Sequence, residues 1–159
     1  MRRSMLGNVR EADVTDFWRH KSLEAMSADE WEALCDGCAR CCLIKLADDD
    51  DGEQVEYTAV RCELLDDRTC RCTRYDARMR LVEDCVQVTP KLARTAKWLP
   101  ATCAYRRLAE GKDLPIWHPL RSGDANSVFR AGIAIRGRTV SERGVHPSDL
   151  ECMVVTWVQ

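Results

Sequence analysis

Cysteine dominates the chemistry available to this chain of 159 residues, which contains 10 cysteines. Thiolates bind zinc and the iron of iron–sulfur clusters, whereas cysteines in oxidising compartments pair as disulfides. Spacings of one and two residues between thiols favour metal ligation over a disulfide framework or the simple burial of small apolar side chains. We therefore predict eight metal ligands between residues 35 and 85: Cys35, Cys38, Cys41, Cys42, Cys62, Cys70, Cys72 and Cys85.

The strongest pattern is the run Cys35-x-x-Cys38-x-x-Cys41-Cys42. Two intervening residues let neighbouring thiolates bend around one ion from a single turn, and Gly37 relieves the backbone there. Because adjacent side chains diverge, either Cys41 and Cys42 bind different ions or only one of them is a ligand. Eight thiols are enough for two four-thiolate sites, but their number does not require two.

A second group of cysteines follows at Cys62, Cys70, Cys72 and Cys85. In an extended segment Cys70 and Cys72 point to the same face, because side chains alternate along a strand. The two groups can then close on each other and pin a long loop. Split pairs of cysteines are typical of structural zinc sites, and three close cysteines with a distant fourth are typical of iron–sulfur clusters. We favour iron–sulfur over zinc, with both metals left open.

Other side chains could join or support the site. Cys103 either binds the metal or packs on a helix, and His118 either caps the metal, donates a hydrogen bond to a ligand, or packs within its loop. Tyr75 and Arg78 are expected to brace the cluster through hydrogen bonds to sulfur. Cys152 is expected to pack among apolar neighbours.

Charge and hydropathy exclude several classes of function. The 24 basic and 26 acidic residues nearly balance, whereas proteins that bind nucleic acid through bulk charge are clearly basic. No apolar run approaches the ~20 residues that cross a bilayer. No apolar stretch follows the basic start, so we expect no secretory signal and a cytosolic location. The expected partners are a metal ion or cluster and a protein partner, without nucleic acid or membrane.

Local patterns predict an α+β fold in one small domain, residues 1–159, with a cluster core over 35–103. Ser27 and Glu30 form a capping box, which predicts a helix that delivers Cys35 and ends at Asp36 and Gly37. Residues 55–60 predict a strand. The acidic run 48–53 is expected to be a solvated turn, because Glu53 stands where a calcium-binding EF-hand loop needs glycine.

Further along the chain, Thr89 and Pro90 predict the start of a helix that runs to Trp98. A second helix is expected from about Ala101 to Gly111. We expect residues 114–124 to form a proline-rich loop. The segment 124–159 is expected to be rich in strands, over 128–135 and 153–158.

Long motifs around the cysteines resemble a known family. They are Phe17-Trp18, Trp31 to Cys42, Cys72-Thr73-Arg74-Tyr75-Asp76-Ala77-Arg78, Trp98-Leu99-Pro100-Ala101-Thr102-Cys103-Ala104-Tyr105-Arg106 and Trp117-His118-Pro119-Leu120. Together with Cys62 and Cys85, they resemble the YcgN-type family within the YkgJ-like superfamily of cysteine-cluster proteins, which are described as zinc- or iron-chelating. The resemblance covers about residues 17–122.

This resemblance implies a metal-binding module that acts as a metal carrier, a sensor, or a redox or assembly partner. The superfamily includes flagellin lysine methylases, but this chain has no glycine-rich loop after a strand that would hold a methyl donor. Two alternatives remain at this stage. One is an iron–sulfur enzyme that acts on a protein or a redox substrate, and the other is a structural zinc scaffold for protein interaction.

Overall fold

A computed structural model describes residues 16–47 and 54–159. The acidic run 48–53, expected to be a solvated turn, lies outside the described residues. The described part combines short helices with a few strands, which confirms the α+β class. In these two ranges no helix is long and apolar enough to cross a membrane.

Seven short α-helices are spread along the described chain, and each is one or two turns long. They are α1 Phe17–His20, α2 Ala28–Ala33, α3 Arg78–Leu81, α4 Pro90–Thr95, α5 Ala104–Ala109, α6 Pro119–Ser122 and α7 Ser127–Arg130. The capping box is confirmed at α2, where the Ser27 hydroxyl accepts from Glu30 N and the Glu30 carboxylate accepts from Ser27 N. The predicted start of α4 is also confirmed, because the Thr89 side chain accepts from Leu92 N.

Strands β1 Leu43–Ala47 and β2 Val55–Arg61 form an antiparallel pair in which Leu43 faces Arg61. A third strand, β5 Val140–Ser141, pairs in parallel with the end of β2. Strands β3 Leu65–Asp66 and β4 Arg71–Cys72 form a separate antiparallel pair. The strand predicted over 55–60 is confirmed as β2.

The predicted C-terminal strands are wrong. Residues 128–135 begin inside α7, and residues 153–158 contribute only an isolated bridge between Val154 and Thr58. The apolar pattern correctly marked burial, since Val128 and Ile135 have no exposed surface. Burial here occurs without a ladder, because Ile135 N donates to a loop carbonyl, that of Cys38.

Other boundaries also differ from the sequence predictions. Helix α4 ends at Thr95 rather than Trp98, and α5 begins at Ala104 rather than near 101. The proline-rich segment 114–124 contains α6, which Pro119 starts because its missing N–H is not needed in the first turn.

Two buried clusters lie on either side of the first cysteines. One joins the early helices through Trp18, Leu34 and Tyr105. The other joins the sheet to the C-terminal segment and includes Leu43 and Ile135. The chain crosses from the first cluster to the second between Leu34 and Leu43, both fully buried, so the turn that carries the first cysteines is anchored at each end.

Candidate metal centre

The turn after α2 is built from unusual backbone conformations. Gly37 has φ of +77° and Ala39 has φ of +61°, both in the left-handed region. The carboxylate of Asp36 accepts from Cys38 N at 3.0 Å, and the carbonyl of Cys38 accepts from Ile135 N at 3.1 Å. This tight path presents Cys35, Cys38 and the following cysteines from one short segment, as the sequence spacing predicts.

The start of α5 lies against this turn and brings in Cys103. The Tyr105 hydroxyl donates to the carbonyl of Trp31 at 2.8 Å, and the two rings lie 4.8 Å apart. Arg40 donates to the Thr102 hydroxyl at 3.5 Å. Residues on both sides of Cys103 are therefore tied to residues on both sides of Cys35.

Four thiols share this region: Cys35, Cys38, Cys41 and Cys103, which we call the first thiol set. The charges of Cys35, Cys41 and Cys103 interact with one another, and that of Cys38 interacts with Cys35 and Cys41. Desolvation raises the pKa of Cys35 and that of Cys103 to about 12. Cys35 and Cys41 are nevertheless exposed residues, so the first thiol set reaches the protein surface.

A buried carboxylate stands among these thiols. Asp36 is only 7% exposed, and its Oδ2 has no hydrogen-bond partner among the described residues. An uncompensated buried charge is costly, and a neighbouring cation removes that cost. Thiols beside a carboxylate oxygen that accepts no hydrogen bond within the described part of the chain fit a bound zinc or iron centre.

Cys41 is the thiol most easily deprotonated in this region. A hydrogen bond from the Cys42 thiol lowers the pKa of Cys41 to about 7, and the charge of Lys45 acts in the same direction. The Lys45 ammonium donates to the carbonyls of Cys41 and Leu43 at 2.6 and 2.8 Å. It also lies 5.4 Å from the ring of Tyr57. A half-buried cation is therefore held beside the cysteine motif.

The remaining thiols divide into a neighbouring group and two outliers. Cys42, Cys62, Cys72 and Cys85 are all partly buried and form what we call the second thiol set. Cys152 is exposed, so the prediction that it packs is wrong.

Cys70 does not point with Cys72. Its φ is +53°, and the alternation of side chains that we applied to residues 70–72 requires an extended backbone. The side chain is 4% exposed and belongs to the buried cluster that contains Ile135. Burial raises the pKa of the Cys70 thiol, and backbone hydrogen bonding from Arg136 acts in the opposite direction. The structure therefore does not bring Cys70 to either thiol set.

His118 uses both ring nitrogens within the fold. Nδ1 accepts from Leu120 N at 3.1 Å, so Nε2 carries the proton and donates to the carbonyl of Leu34 at 2.8 Å. The ring has no exposed surface. Of the three predicted roles, packing within the fold agrees with these contacts, and the hydrogen bond to Leu34 fixes the residue that precedes Cys35.

The two residues predicted to brace the cluster, Tyr75 and Arg78, make different contacts. The Tyr75 hydroxyl donates to Glu32 at 2.7 Å rather than to sulfur. Arg78 stacks on the ring of Tyr75 at 3.8 Å. Burial raises the pKa of Cys85, and the charge of Arg78 opposes that shift.

All ten cysteines lie in the described residues, and all are free thiols. Within residues 16–47 and 54–159, no three Cys, His, Asp or Glu side chains surround one point closely enough to hold an ion as they stand. Binding therefore requires thiols of a set to turn towards a common centre. Rotation about χ1 moves a sulfur between staggered positions without moving the backbone.

Sequence reasoning missed two charged side chains, Asp36 and Lys45. Asp36 was taken only as a helix breaker, although an acidic residue between two motif cysteines is itself a signal of a charged site. Lys45 is separated from Cys41 by one helical turn of sequence, but β1 rather than a helix places it. Cys103 was identified as a candidate and left undecided.

Comparison with known proteins assigns the chain to a family. The family model described as "Putative zinc- or iron-chelating domain", with the pattern CxxCxxCC, matches residues 34–104. A UPF0260 protein of Sinorhizobium fredii is 56% identical over 141 residues, which cover 89% of this chain and 90% of that protein. The chain belongs to the UPF0260 family. A UPF0260 protein of Rhizobium meliloti is 54% identical over 90% of this chain and 92% of its own length.

Membership of UPF0260 confirms the resemblance drawn from the cysteine motifs, and the matched family description supports metal binding. The matched range contains both thiol sets. Another UPF0260 relative, from Azotobacter vinelandii, is 54% identical over 88% of this chain and 93% of that protein. No solved structure gave a significant match.

Proposed function

We propose that this protein is a cytosolic iron–sulfur protein that carries electrons or metal to a protein partner. The ligands of the proposed cluster are the first thiol set, which includes Cys103 and leaves out Cys70. The observation that carries the proposal is the contact between the turn after α2 and the start of α5, which brings Cys103 to the first cysteines.

Two features of the first thiol set support a cluster. Three cysteines come from one short segment and the fourth from a distant one, which is the usual arrangement around iron–sulfur clusters. Burial raises the pKa of Cys35 and Cys38, and backbone hydrogen bonding from Gly37 and Arg40, respectively, acts in the opposite direction. Such hydrogen bonds stabilise thiolates and tune the potential of a bound cluster.

The access of solvent to Cys35 and Cys41 supports exchange with a partner. A metal or electron carrier needs its site near the surface, whereas a purely structural ion gains nothing from access. Three residues before Cys35, the exposed carboxylate of Glu32 accepts a hydrogen bond from the Tyr75 hydroxyl. We propose this edge as the place where a partner approaches.

A structural zinc site is the second candidate, because four thiolates also complete a tetrahedral zinc shell. Zinc readily occupies thiolate sites that hold iron in the cell, so its presence after aerobic purification does not discriminate. The test is anaerobic reconstitution with iron and sulfide, followed by visible absorption, electron paramagnetic resonance of the reduced protein, and analysis of iron and sulfide.

We expect a reconstituted protein with visible charge-transfer absorption and a reducible cluster. Cys103→Ser should lose this absorption, while Cys70→Ser, a matched change of a buried cysteine outside both sets, should retain it. A colourless protein that keeps stoichiometric zinc through reconstitution would favour the structural scaffold. Loss of the cluster in Cys70→Ser but not in Cys103→Ser would refute the ligand assignment.

A further inference from the structure

The second thiol set begins with a cross-strand pair. Leu43 faces Arg61 in the antiparallel pair of β1 and β2, so Cys42 and Cys62 are the next residues across from each other. The ladder continues to them, because Cys62 N donates to the carbonyl of Cys42 at 2.9 Å. Residues opposite one another in an antiparallel pair have Cβ atoms about 5 Å apart on the same face. The backbone itself therefore holds these two thiols side by side.

A tight turn then brings Cys72 to the same place. Leu65 N donates to the carbonyl of Cys62 at 3.0 Å, which closes a turn immediately after β2. Leu65 faces Cys72 in the pair of β3 and β4. The pairing is extended by Thr73, whose backbone N–H donates to the carbonyl of Leu64 at 2.8 Å. Two consecutive reversals of the chain thus carry Cys72 back beside Cys62.

The fourth thiol, Cys85, returns after α3. The segment that leads to it is fixed by the hydrogen bond from Tyr75 to Glu32 and by the stacking of Arg78 on the Tyr75 ring. The charge of Cys85 interacts with that of Cys72, and the charge of Cys62 interacts with both. All four thiols of the set are partly buried.

Arginines lie beside both thiol sets. Burial raises the pKa of Cys85, and the charge of Arg78 acts in the opposite direction. Arg71, next to Cys72, lies over Gly37, where a Cβ would stand 3.5 Å from the arginine Nη2. The guanidinium therefore lies against the turn of the first set. Four thiolates around a divalent ion leave a charge of about −2, which nearby arginines offset.

We propose that Cys42, Cys62, Cys72 and Cys85 form a second metal site, distinct from the first thiol set, for one divalent ion that prefers four thiolates. The inference rests on the proposed function only in taking the first set as a separate thiolate site. Cys41 then belongs to the first thiol set and Cys42 to the second, so the two proposed sites are linked by adjacent residues of the chain. Binding replaces the thiol protons by the ion and releases them to solvent.

The test uses Zn²⁺ as the probe on the reduced full-length chain, with bound zinc measured by elemental analysis and native mass spectrometry. We expect about two ions in the unaltered protein, because thiolates of both sets bind zinc. Cys62→Ser/Cys85→Ser should retain about one, and so should Cys35→Ser/Cys103→Ser. The control Cys70→Ser/Cys152→Ser changes two cysteines outside both sets and should retain about two.

The two proposals fail in different ways. If Cys62→Ser/Cys85→Ser binds as much zinc as the unaltered protein, the second site is refuted and the first is untouched. Cys62→Ser/Cys85→Ser should also keep the visible absorption after iron–sulfur reconstitution, whereas Cys35→Ser/Cys103→Ser should lose it. An unaltered protein that binds neither zinc nor a cluster would refute both proposals.

A measurement on the unaltered chain covers the case in which a variant does not fold. Saturating Zn²⁺ should protect Cys62, Cys72 and Cys85 from alkylation by N-ethylmaleimide, as read by peptide mass spectrometry. Cys152 is exposed and serves as the internal control that stays reactive with and without zinc. Protection confined to the first thiol set at saturation would overturn the second site.

Discussion

His118 is expected to stabilise the fold that positions Cys35 without binding the metal. His118→Asn retains an acceptor near the position of Nδ1 for Leu120 N, but it removes the donor to the carbonyl of Leu34. Leaving that buried carbonyl without its partner costs about 1–3 kcal/mol. His118→Ala also removes the cap of α6 and opens a cavity in a site with no exposed surface, so we expect about 3–5 kcal/mol.

The assay is urea unfolding of the reduced, metal-free protein at neutral pH. With a denaturant slope of about 2 kcal/mol/M, His118→Asn should lower the midpoint by about 1 M and leave the slope unchanged. Metal content after reconstitution should equal that of the unaltered protein. An unchanged midpoint combined with loss of metal would refute this reasoning, because it would make the imidazole a ligand.

The same residue predicts a dependence on pH. Burial lowers the pKa of His118 in the folded protein, so the unfolded chain takes up a proton first as the pH falls. The stabilisation is therefore complete above about pH 6.5, the ordinary value, and decreases below it. His118→Asn should show a weaker loss of stability between about pH 6.5 and 5. A parallel loss in both proteins would contradict the assignment.

Three further changes test the local structure. Ser27→Ala removes the capping hydroxyl that accepts from Glu30 N, and we expect unfolding free energy to fall by about 1 kcal/mol in the same urea assay. Hydrogen bonding from Arg19 lowers the pKa of Asp113 to about 2, so the stability due to this exposed pair should be present above about pH 4 and disappear towards pH 2. In Asp113→Asn, acid titration followed by circular dichroism should lack that component, which we expect to be below about 1 kcal/mol because of solvent screening. Gly37→Ala places a side chain at φ of +77°, which should lower the unfolding free energy by about 1–2 kcal/mol. It should also weaken zinc binding, measured by chelator competition. The control Gly144→Ala, at an exposed position where φ is not positive, should leave zinc binding unchanged.

The sequence predicted the parts of the fold that depend on neighbouring residues. The capping box at Ser27 and the strand over 55–60 follow from local rules and are present. The break expected at Asp36 and Gly37 comes earlier, because α2 ends at Ala33, although Gly37 does adopt the left-handed conformation. The strands predicted over 128–135 and 153–158 failed because apolar runs mark burial, whereas a strand also needs a partner of matching register. In the structure, hydrogen bonds to loop residues replace pairing with a neighbouring strand.

The candidate site shows the same limit. Spacing identified the turn that carries Cys35 and Cys38, because that geometry is local. It could not separate Cys70 from Cys72, since the left-handed conformation of one residue reverses the direction of its side chain. It also left Cys103 undecided, because the contacts from Tyr105 to Trp31 and from Arg40 to Thr102 span more than sixty residues of sequence.

The hydrogen bond from Ile135 N to the carbonyl of Cys38 has a consequence for biosynthesis. Synthesis proceeds from the N-terminus, so every cysteine of the first thiol set leaves the ribosome before Ile135 does. A nascent chain therefore presents these thiols to a delivery factor or to oxidants before the later segment covers the turn. During translation there is therefore an interval in which all four ligand cysteines have left the ribosome but the segment that contains Ile135 has not yet packed against their turn.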